Sequence, residues 1–291
     1  MARVEQLYRA WCALARAADR LPGVQSARTL AGLDSWRNRG TFARWIVERR
    51  LGIPFREAHA RENPGRWLTR DGYVFEPREG SPDRQVLDAF HEVQTRAFVR
   101  AQLGRRPAGG IFIDVGAHCG GFSIPFESHF AQVIAIEPLP GNYRALERNI
   151  ALNRLEAKLR AFNVAAAEAR AHARFFIDGD EKSSLVPTER ATQVIDVEMR
   201  SVDELLDQAG ARAADVRLVK IDVEGAELRV LNGARRLLAA ASPIVILEAN
   251  TPAARRDLET FMGGIGYVVR RVTDGRNLCF KRPPFRSPLP G

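Results

Sequence analysis

From residue 110 onward the apolar residues fall in short runs separated by longer stretches of mixed polarity. Residues 111–115, 133–136, 159–164, 216–221 and 244–247 form brief runs rich in β-branched side chains. Between and after them, residues 121–130, 142–153, 224–240 and 252–262 carry the apolar spacing of helices. Short buried strands alternating with helices predict a parallel sheet covered on both faces. Two insertions interrupt the alternation. Residues 173–177 and 194–199 read as extra strands around a polar loop, 178–193. The end of the pattern, 267–272 and 277–281 around Thr273-Asp274-Gly275-Arg276, predicts a β-hairpin.

Before residues 104–110 the pattern is irregular. Residues 4–20 have a helical apolar period closed by Leu-Pro-Gly, and 42–51 predict a second short helix stopped before Pro54. Residues 67–76 carry Asp71-Gly72, a turn signal. Residues 82–103 predict one long helix, with Ser81 at its N-cap and Gly104 just past its end. The expected organisation is a basic, mainly helical extension over 1–106, an α/β domain over 107–281 and a Pro-rich tail over 282–291.

Composition narrows this picture. The chain has 291 residues, 45% hydrophobic and 27% charged, enough for a solid core. No apolar run reaches the ~18 residues of a membrane span. The first twenty residues lack a secretory apolar stretch. Cys12, Cys119 and Cys279 are scattered, giving neither a disulfide framework nor a Cys-x-x-Cys pair, so a cytoplasmic setting is expected. The net charge is +9, and it is unevenly placed. Residues 1–110 carry 20 basic against 12 acidic side chains, whereas residues 111–280 carry 21 against 23. Forty of the 44 basic residues are Arg, which fits either a compositional bias or a phosphate-binding face.

In an open α/β sheet, ligands bind beyond the carboxyl ends of the strands where strand order reverses. The first regular strand runs into IFIDVGAHCGGFS, residues 111–123. Asp114 closes the strand, and Gly116, Gly120 and Gly121 make a tight loop before a helix. The spacing is neither the dinucleotide fingerprint nor a phosphate-binding loop. An Asp there would repel a pyrophosphate, but it suits a cationic ligand such as S-adenosylmethionine. The plainer reading is a tight strand–helix turn. Glu137 ends the second strand, where an acid accepts hydrogen bonds from ribose hydroxyls; a helix-capping or surface acid is the alternative. In VRLVKIDVEGAELRVL, residues 216–231, Lys220, Asp222, Glu224 and Glu227 crowd a strand–helix junction. Lys220 and Asp222 share a face of an extended segment. Lys220 lies in an otherwise apolar strand and needs a partner, Asp222 or Glu248. Helix capping is the plainer role for Asp222 and Glu224.

These blocks, IDVGAHCGGFS, IEPLPGNYRALERNIALN, FNVAA, VKIDVEGAELRVLNGARRLL and PIVILEAN, resemble the FkbM family of S-adenosylmethionine-dependent methyltransferases over roughly residues 111–250. The resemblance implies a Rossmann-like class I methyltransferase fold: a mostly parallel seven-stranded sheet with an antiparallel last strand and helices on both faces. It implies methyl transfer to a hydroxyl of a sugar, glycolipid or natural product. It places Asp114, Gly116, Ala117, His118, Gly120 and Ser123 at the methionine end of the cofactor and Glu137, Pro138 and Asn142 at the ribose. Asn163 and Val164 fall near the adenine, and Asp222 at the same edge. The family usually has Asn where this chain has His118.

An alcohol is a poor nucleophile, so an acid taking its proton late in the transfer is expected, from Asp222 or Glu224, with Lys220 orienting it. A divalent ion on Asp222, Glu248 and Asn250 is a variant. The insertion and the basic N-terminal third are expected to bind the acceptor, through its acidic or phosphate groups or an anionic surface. Three other readings stand beside this one. An RNA-directed methyltransferase is disfavoured by the acidic core, and a nicotinamide-dependent reductase by the glycine spacing. The third is a non-catalytic binding module.

Overall fold

Strand β3 (Ile111–Val115) is buried on every residue, because its two faces pack against different helices. Ile111, Ile113 and Val115 face one core with residues of α5 (Val202–Gln208), α6 (Glu227–Asn232), α7 (Arg235–Ala240) and α8 (Pro252–Gly264). Phe112 faces the other way, its ring 6.0 Å from Phe122 and 5.4 Å from Phe130. This two-sided burial is why the strand reads as a continuous apolar run. In the computed structural model, residues 66–68, 72–87, 91–104, 108–178, 182–184 and 193–283 are described. The helices expected over 4–20 and 42–51, most of the polar loop and the end of the Pro-rich tail lie outside them.

The main sheet has seven strands in the order β12-β13-β11-β10-β3-β4-β5. Its remaining members are β4 (Gln132–Ile136), β5 (Leu159–Phe162), β10 (Val216–Ile221), β11 (Ile244–Glu248), β12 (Val268–Thr273) and β13 (Asn277–Lys281). β13 runs against the other six strands, antiparallel to both β11 and β12. The chain moves outward from β3 to β4 and β5, then returns to β10 on the other side of β3. The reversal point therefore lies between β3 and β10. This is the mostly parallel, seven-stranded Rossmann-like sheet with an antiparallel last strand that the resemblance implies.

The insertion forms a second sheet in the order β6-β9-β7-β8. It is made of β6 (Ala165–Ala166), β7 (Ala171–Asp178), β8 (Lys182–Ser184) and β9 (Gln193–Arg200). The polar loop thus contributes a strand of its own. Helix starts follow their caps: Ser201 and Glu204 form a reciprocal capping box at α5, and Thr251 caps α8 just before Pro252.

Two long helices expected from the sequence are broken. Residues 82–103 hold α1 (Asp83–Val86) and α2 (Val93–Leu103), with Glu92 in a left-handed conformation at φ 51°. The break turns the Glu92 side chain into the protein, where Asn277 Nδ2 donates to it at 2.9 Å. Residues 224–240 divide into α6 and α7 at Gly233, where a Cβ would lie 1.9 Å from the Ala167 carbonyl oxygen. Backbone contact, not helical propensity, sets that division. The strand expected over 159–164 ends at Phe162.

Two compact units are present. One contains the short hairpin of β1 (Trp67–Leu68) and β2 (Val74–Phe75), paired Trp67 to Phe75 with Gly72 at φ 86° in the turn. The other contains residues 77–87 and the described chain from Glu92 onward, including both sheets. No helix among the described residues is long and apolar enough to cross a membrane.

Candidate active site

The loop after β3 is shaped by backbone contact. Gly116 has φ 83°, and a Cβ there would lie 1.9 Å from the Asp222 carbonyl oxygen. The exits of β3 and β10 are therefore pressed together at the reversal point, which only glycine permits. The Gly116 and Ala117 N–H groups both donate to the Ile136 carbonyl, at 2.9 and 3.1 Å. His118 is left-handed at φ 53°, a conformation that His and Asn tolerate better than most residues. Gly120, at φ 88°, packs against Ile124 and Leu146. Ser123 opens α3 (Ser123–Phe126) and hydrogen-bonds Asp114 Oδ2.

Asp114 is fully buried. Burial pushes its carboxyl up to about 6, against the Lys220 charge and the Ser123 hydroxyl, while Glu92 and Asp222 push it further up. Its Oδ1 atom has no hydrogen-bond partner among the described residues. An orphaned buried acceptor at a strand end is an invitation to a cationic donor.

Glu137, one strand away, is also buried. Oε2 accepts the His118 N–H at 2.8 Å; Oε1 accepts the Leu139 N–H at 2.9 Å and Asn142 Nδ2 at 3.3 Å. Burial pushes it up to about 7, opposed by those same donors. Asn163 Nδ2 donates to the Glu137 and Pro138 carbonyls at 2.9 and 3.0 Å, so its amide secures the chain beside the acid. Val164 is buried in the main core.

The third group of charges sits on the same face as Asp114, since Lys220 pairs in register with Asp114 on one side and Ile246 on the other. Lys220 Nζ lies 2.8 Å from Asp222 Oδ2, 3.5 Å from Glu92 Oε1 and over the Phe122 ring. Burial alone would lower its pKa; the carboxylates around it, Asp222 first, overcome that and raise it. Asp222 shares a hydrogen bond with Glu248. In this pair burial pushes Asp222 up, but the Lys220 charge and hydrogen bond, with the Glu248 hydrogen bond and the Arg276 charge, together hold it low; Glu248 is pushed up by burial and by the Asp222 charge. Arg276 Nε meets Glu248 Oε1 at 2.9 Å, and Asn250 Nδ2 donates to Glu248 at 2.9 Å and to Glu224 at 3.3 Å. Glu224 is exposed and left-handed at φ 51°. Glu227 accepts the Val223 and Gly225 N–H groups at 3.4 and 3.1 Å, a structural role at the start of α6.

The expected residues thus form two neighbouring groups: Asp114, Lys220, Asp222 and Glu224 with Glu248 and Asn250, and Gly116, His118, Glu137 and Asn142 with Pro138 and Asn163. Sequence reasoning missed Glu92 and Arg276. Nothing local marks Glu92. Arg276 was legible in principle, since it precedes the residue of β13 that pairs with Glu248. The donor set does not suit a divalent ion: Lys220 and Arg276 already neutralise Asp222 and Glu248, and Asn250 offers its amide nitrogen. The grouping of Asp83, His118 and Cys119 is no better suited. Arg78 occupies Asp83, and burial pushes the Cys119 thiol up.

Comparison with known proteins gives the family. The family model described as the methyltransferase FkbM domain matches residues 114–269. The methyltransferase sdnD of Sordaria araneosa is 26% identical over 204 residues, covering 58% of this chain and 78% of that protein. The crystal structure of methyltransferase FkbM from Methylobacillus flagellatus aligns with a TM-score of 0.46 at 22% identity, over 63% of this chain. This chain spans 46% of that one. TrmK of M. capricolum, in complex with S-adenosylhomocysteine, aligns with a TM-score of 0.39 at 10% identity, over 63% of this chain and 66% of that one. Matched by the family model over more than half its length, the chain belongs to the FkbM family of methyltransferases.

Proposed function

We propose that this methyltransferase is S-adenosylmethionine-dependent and transfers the methyl group to a hydroxyl of a sugar, glycolipid or natural-product acceptor. The observation that carries the reading is the pair of buried acids, Asp114 and Glu137, on adjacent strand ends with the Gly116–Gly120 loop between them. The free Oδ1 acceptor of Asp114 suits the ammonium of a methionine moiety. Glu137 keeps a lone-pair site beyond its three donors and suits ribose hydroxyls. Two buried carboxylates here would repel a pyrophosphate, which disfavours a nicotinamide dinucleotide.

S-adenosylmethionine, when bound, would supply a methyl group on a cationic sulfur that leaves as a neutral thioether. As the acceptor oxygen takes the methyl group it becomes acidic, and its proton passes to a carboxylate. Asp222 is the best-placed acid of the Lys220 cluster, being partly exposed while Glu248 is nearly sealed. Held low by Lys220, it is a weak base, which suffices for a proton released late in the transfer. Glu224 is the second candidate, and Lys220 fixes the Asp222 carboxylate. No step requires a metal.

The basic N-terminal third and the insertion over 178–193 supply acceptor recognition in this reading, with the positive charge drawing an acidic or phosphate-bearing acceptor or an anionic surface. The buried free thiols of Cys119 and Cys279 suit a cytoplasmic protein.

The test is calorimetry and thermal shift with S-adenosylmethionine, S-adenosylhomocysteine and NADH, then release of S-adenosylhomocysteine in the presence of a panel of hydroxyl acceptors. Binding of the first two ligands but not NADH supports the cofactor. Stabilisation by NADH alone, or binding of none of the three, overturns it. Turnover confined to nitrogen acceptors such as RNA would overturn the hydroxyl assignment, and turnover abolished by a chelator the metal-free mechanism.

A further inference from the structure

Glu137 is held in a ring of polar groups, hydrogen-bonded except where Asp83 approaches His118, and part of that ring precedes the family-matched region. Arg78 donates to Asp83 three times: from its backbone N–H at 2.9 Å, from Nε at 2.9 Å and from Nη2 at 2.7 Å. Its Nη2 also donates to Asn142 Oδ1 at 2.7 Å. A guanidinium has only donors, so Asn142 must turn its carbonyl oxygen toward Arg78. That choice points Nδ2 at Glu137 Oε1. On the other side, Asp83 Oδ1 lies 3.6 Å from His118 Nδ1, and the His118 N–H donates to Glu137 Oε2. The ring runs Glu137, Asn142, Arg78, Asp83, His118 and back to Glu137.

The ring is costly to build. Asp83 is fully buried. Burial would raise its pKa, and the Arg78 hydrogen bonds and charge more than reverse that. Arg78 also sits at the first turn of α4 (Pro140–Leu152), where the helix dipole disfavours a cation. It approaches so closely that a Cβ on Gly141 would lie 3.1 Å from Nη1. A helix-stabilising device would place the acid, not the arginine, against that turn.

We propose that Arg78 and Asp83 are positioning residues for the ribose of the cofactor: they fix the Asn142 amide and the His118 loop so that Glu137 presents its carboxylate to the ribose hydroxyls. The proposal rests on the cofactor reading above. It gives the segment ahead of the family domain a part in the cofactor site, although neither residue need touch the ligand.

The experiment compares S-adenosylhomocysteine with its analogue lacking both ribose hydroxyls, by calorimetry on the wild-type protein, Arg78→Ala and Asn142→Ala. Circular dichroism verifies that each variant is folded. Asn142→Ala cuts the ring while leaving the Arg78–Asp83 pair in place, and so serves if Arg78→Ala fails to fold. Each variant is expected to bind S-adenosylhomocysteine about tenfold more weakly and to bind the analogue within about twofold of wild type, because the lost contact is the one to the hydroxyls. Equal weakening toward both ligands would mean a merely structural role and overturn the proposal, as would no weakening at all. A wild-type protein that binds neither ligand would instead overturn the cofactor reading itself.

Discussion

A buried ammonium must be faced by anions, and Lys220 is, with Asp222 and Glu92 within 3.5 Å and Asp114 beside it. Lys220→Met would leave those acids uncompensated and is expected to destabilise the fold by about 3–5 kcal/mol, measured by urea denaturation. Asp222→Asn is expected to lower turnover by roughly 10²–10⁴-fold with S-adenosylhomocysteine affinity within a few-fold of wild type. Undiminished turnover would remove Asp222 from the proton-accepting role. The two cofactor acids make a pH prediction. Asp114 is raised to about 6 from 3.8 and Glu137 to about 7 from 4.5, so both hold their protons more tightly when folded. The stability this gives is complete below about pH 4 and is lost as pH rises through 6 and 7. Cofactor binding needs the charged acids and runs the opposite way. Affinity is expected to climb several-fold from pH 5.5 to 8 and to lose most of that slope in Glu137→Gln, by calorimetry across pH. Lys220 announced itself in the sequence as a charge in an apolar strand, and Asp222, two residues on along an extended segment, was its natural partner. Glu92 could not be found that way. It reaches the cluster only because a helix breaks at a left-handed residue, and no pattern of polarity encodes that.

Secondary structure was legible where burial is two-sided. The runs at β3, β10 and β11 are apolar because helices cover both their faces, so their bounds agree with the expected ones to within a residue. The helix breaks at Glu92 and Gly233 were hidden, since both are imposed by parts of the chain distant in sequence. This distinction can be tested with glycines. Gly233→Ala would drive a Cβ to 1.9 Å from the Ala167 carbonyl oxygen, with the Ser201 backbone 3.2 Å away, and is expected to cost at least about 2 kcal/mol. Gly263→Ala in α8 meets nothing within 4 Å and is expected to stabilise by about 0.5–1 kcal/mol. Thermal melting of the two variants should move in opposite directions.

At the scale of the whole chain, the segment ahead of β3 is not dispensable. Glu92, Thr95, Arg96, Phe98, Val99 and Leu103 are buried in the same unit as the sheet. Arg96 Nη2 donates to the Gly121 carbonyl at 2.7 Å, and Arg96 lies over the Phe122 ring. Removing residues 1–106 is expected to abolish soluble folding, whereas removing residues 1–65 should leave a cooperatively melting protein that binds S-adenosylhomocysteine; soluble yield and calorimetry separate the two. If the second truncation also loses acceptor affinity while keeping the cofactor, the basic segment has the recognition role proposed for it. From sequence, residues 1–106 read as one extension because their irregular pattern offers no internal landmark. Side-chain pairing, invisible to periodicity, is what ties its later part to the sheet.

The hairpin turn at the far end of the domain completes this tie. Asp274 accepts the Gln94 and Thr95 N–H groups at 3.1 and 2.9 Å, and so supplies the N-terminal cap that α2 lacks from its own residues. Some 180 residues of chain separate the two partners. On the ribosome, α2 is therefore made long before the carboxylate that caps it, and its first turn gains that anion only after Asp274 has left the exit tunnel, which makes closure of this helix end a late, long-range step in folding.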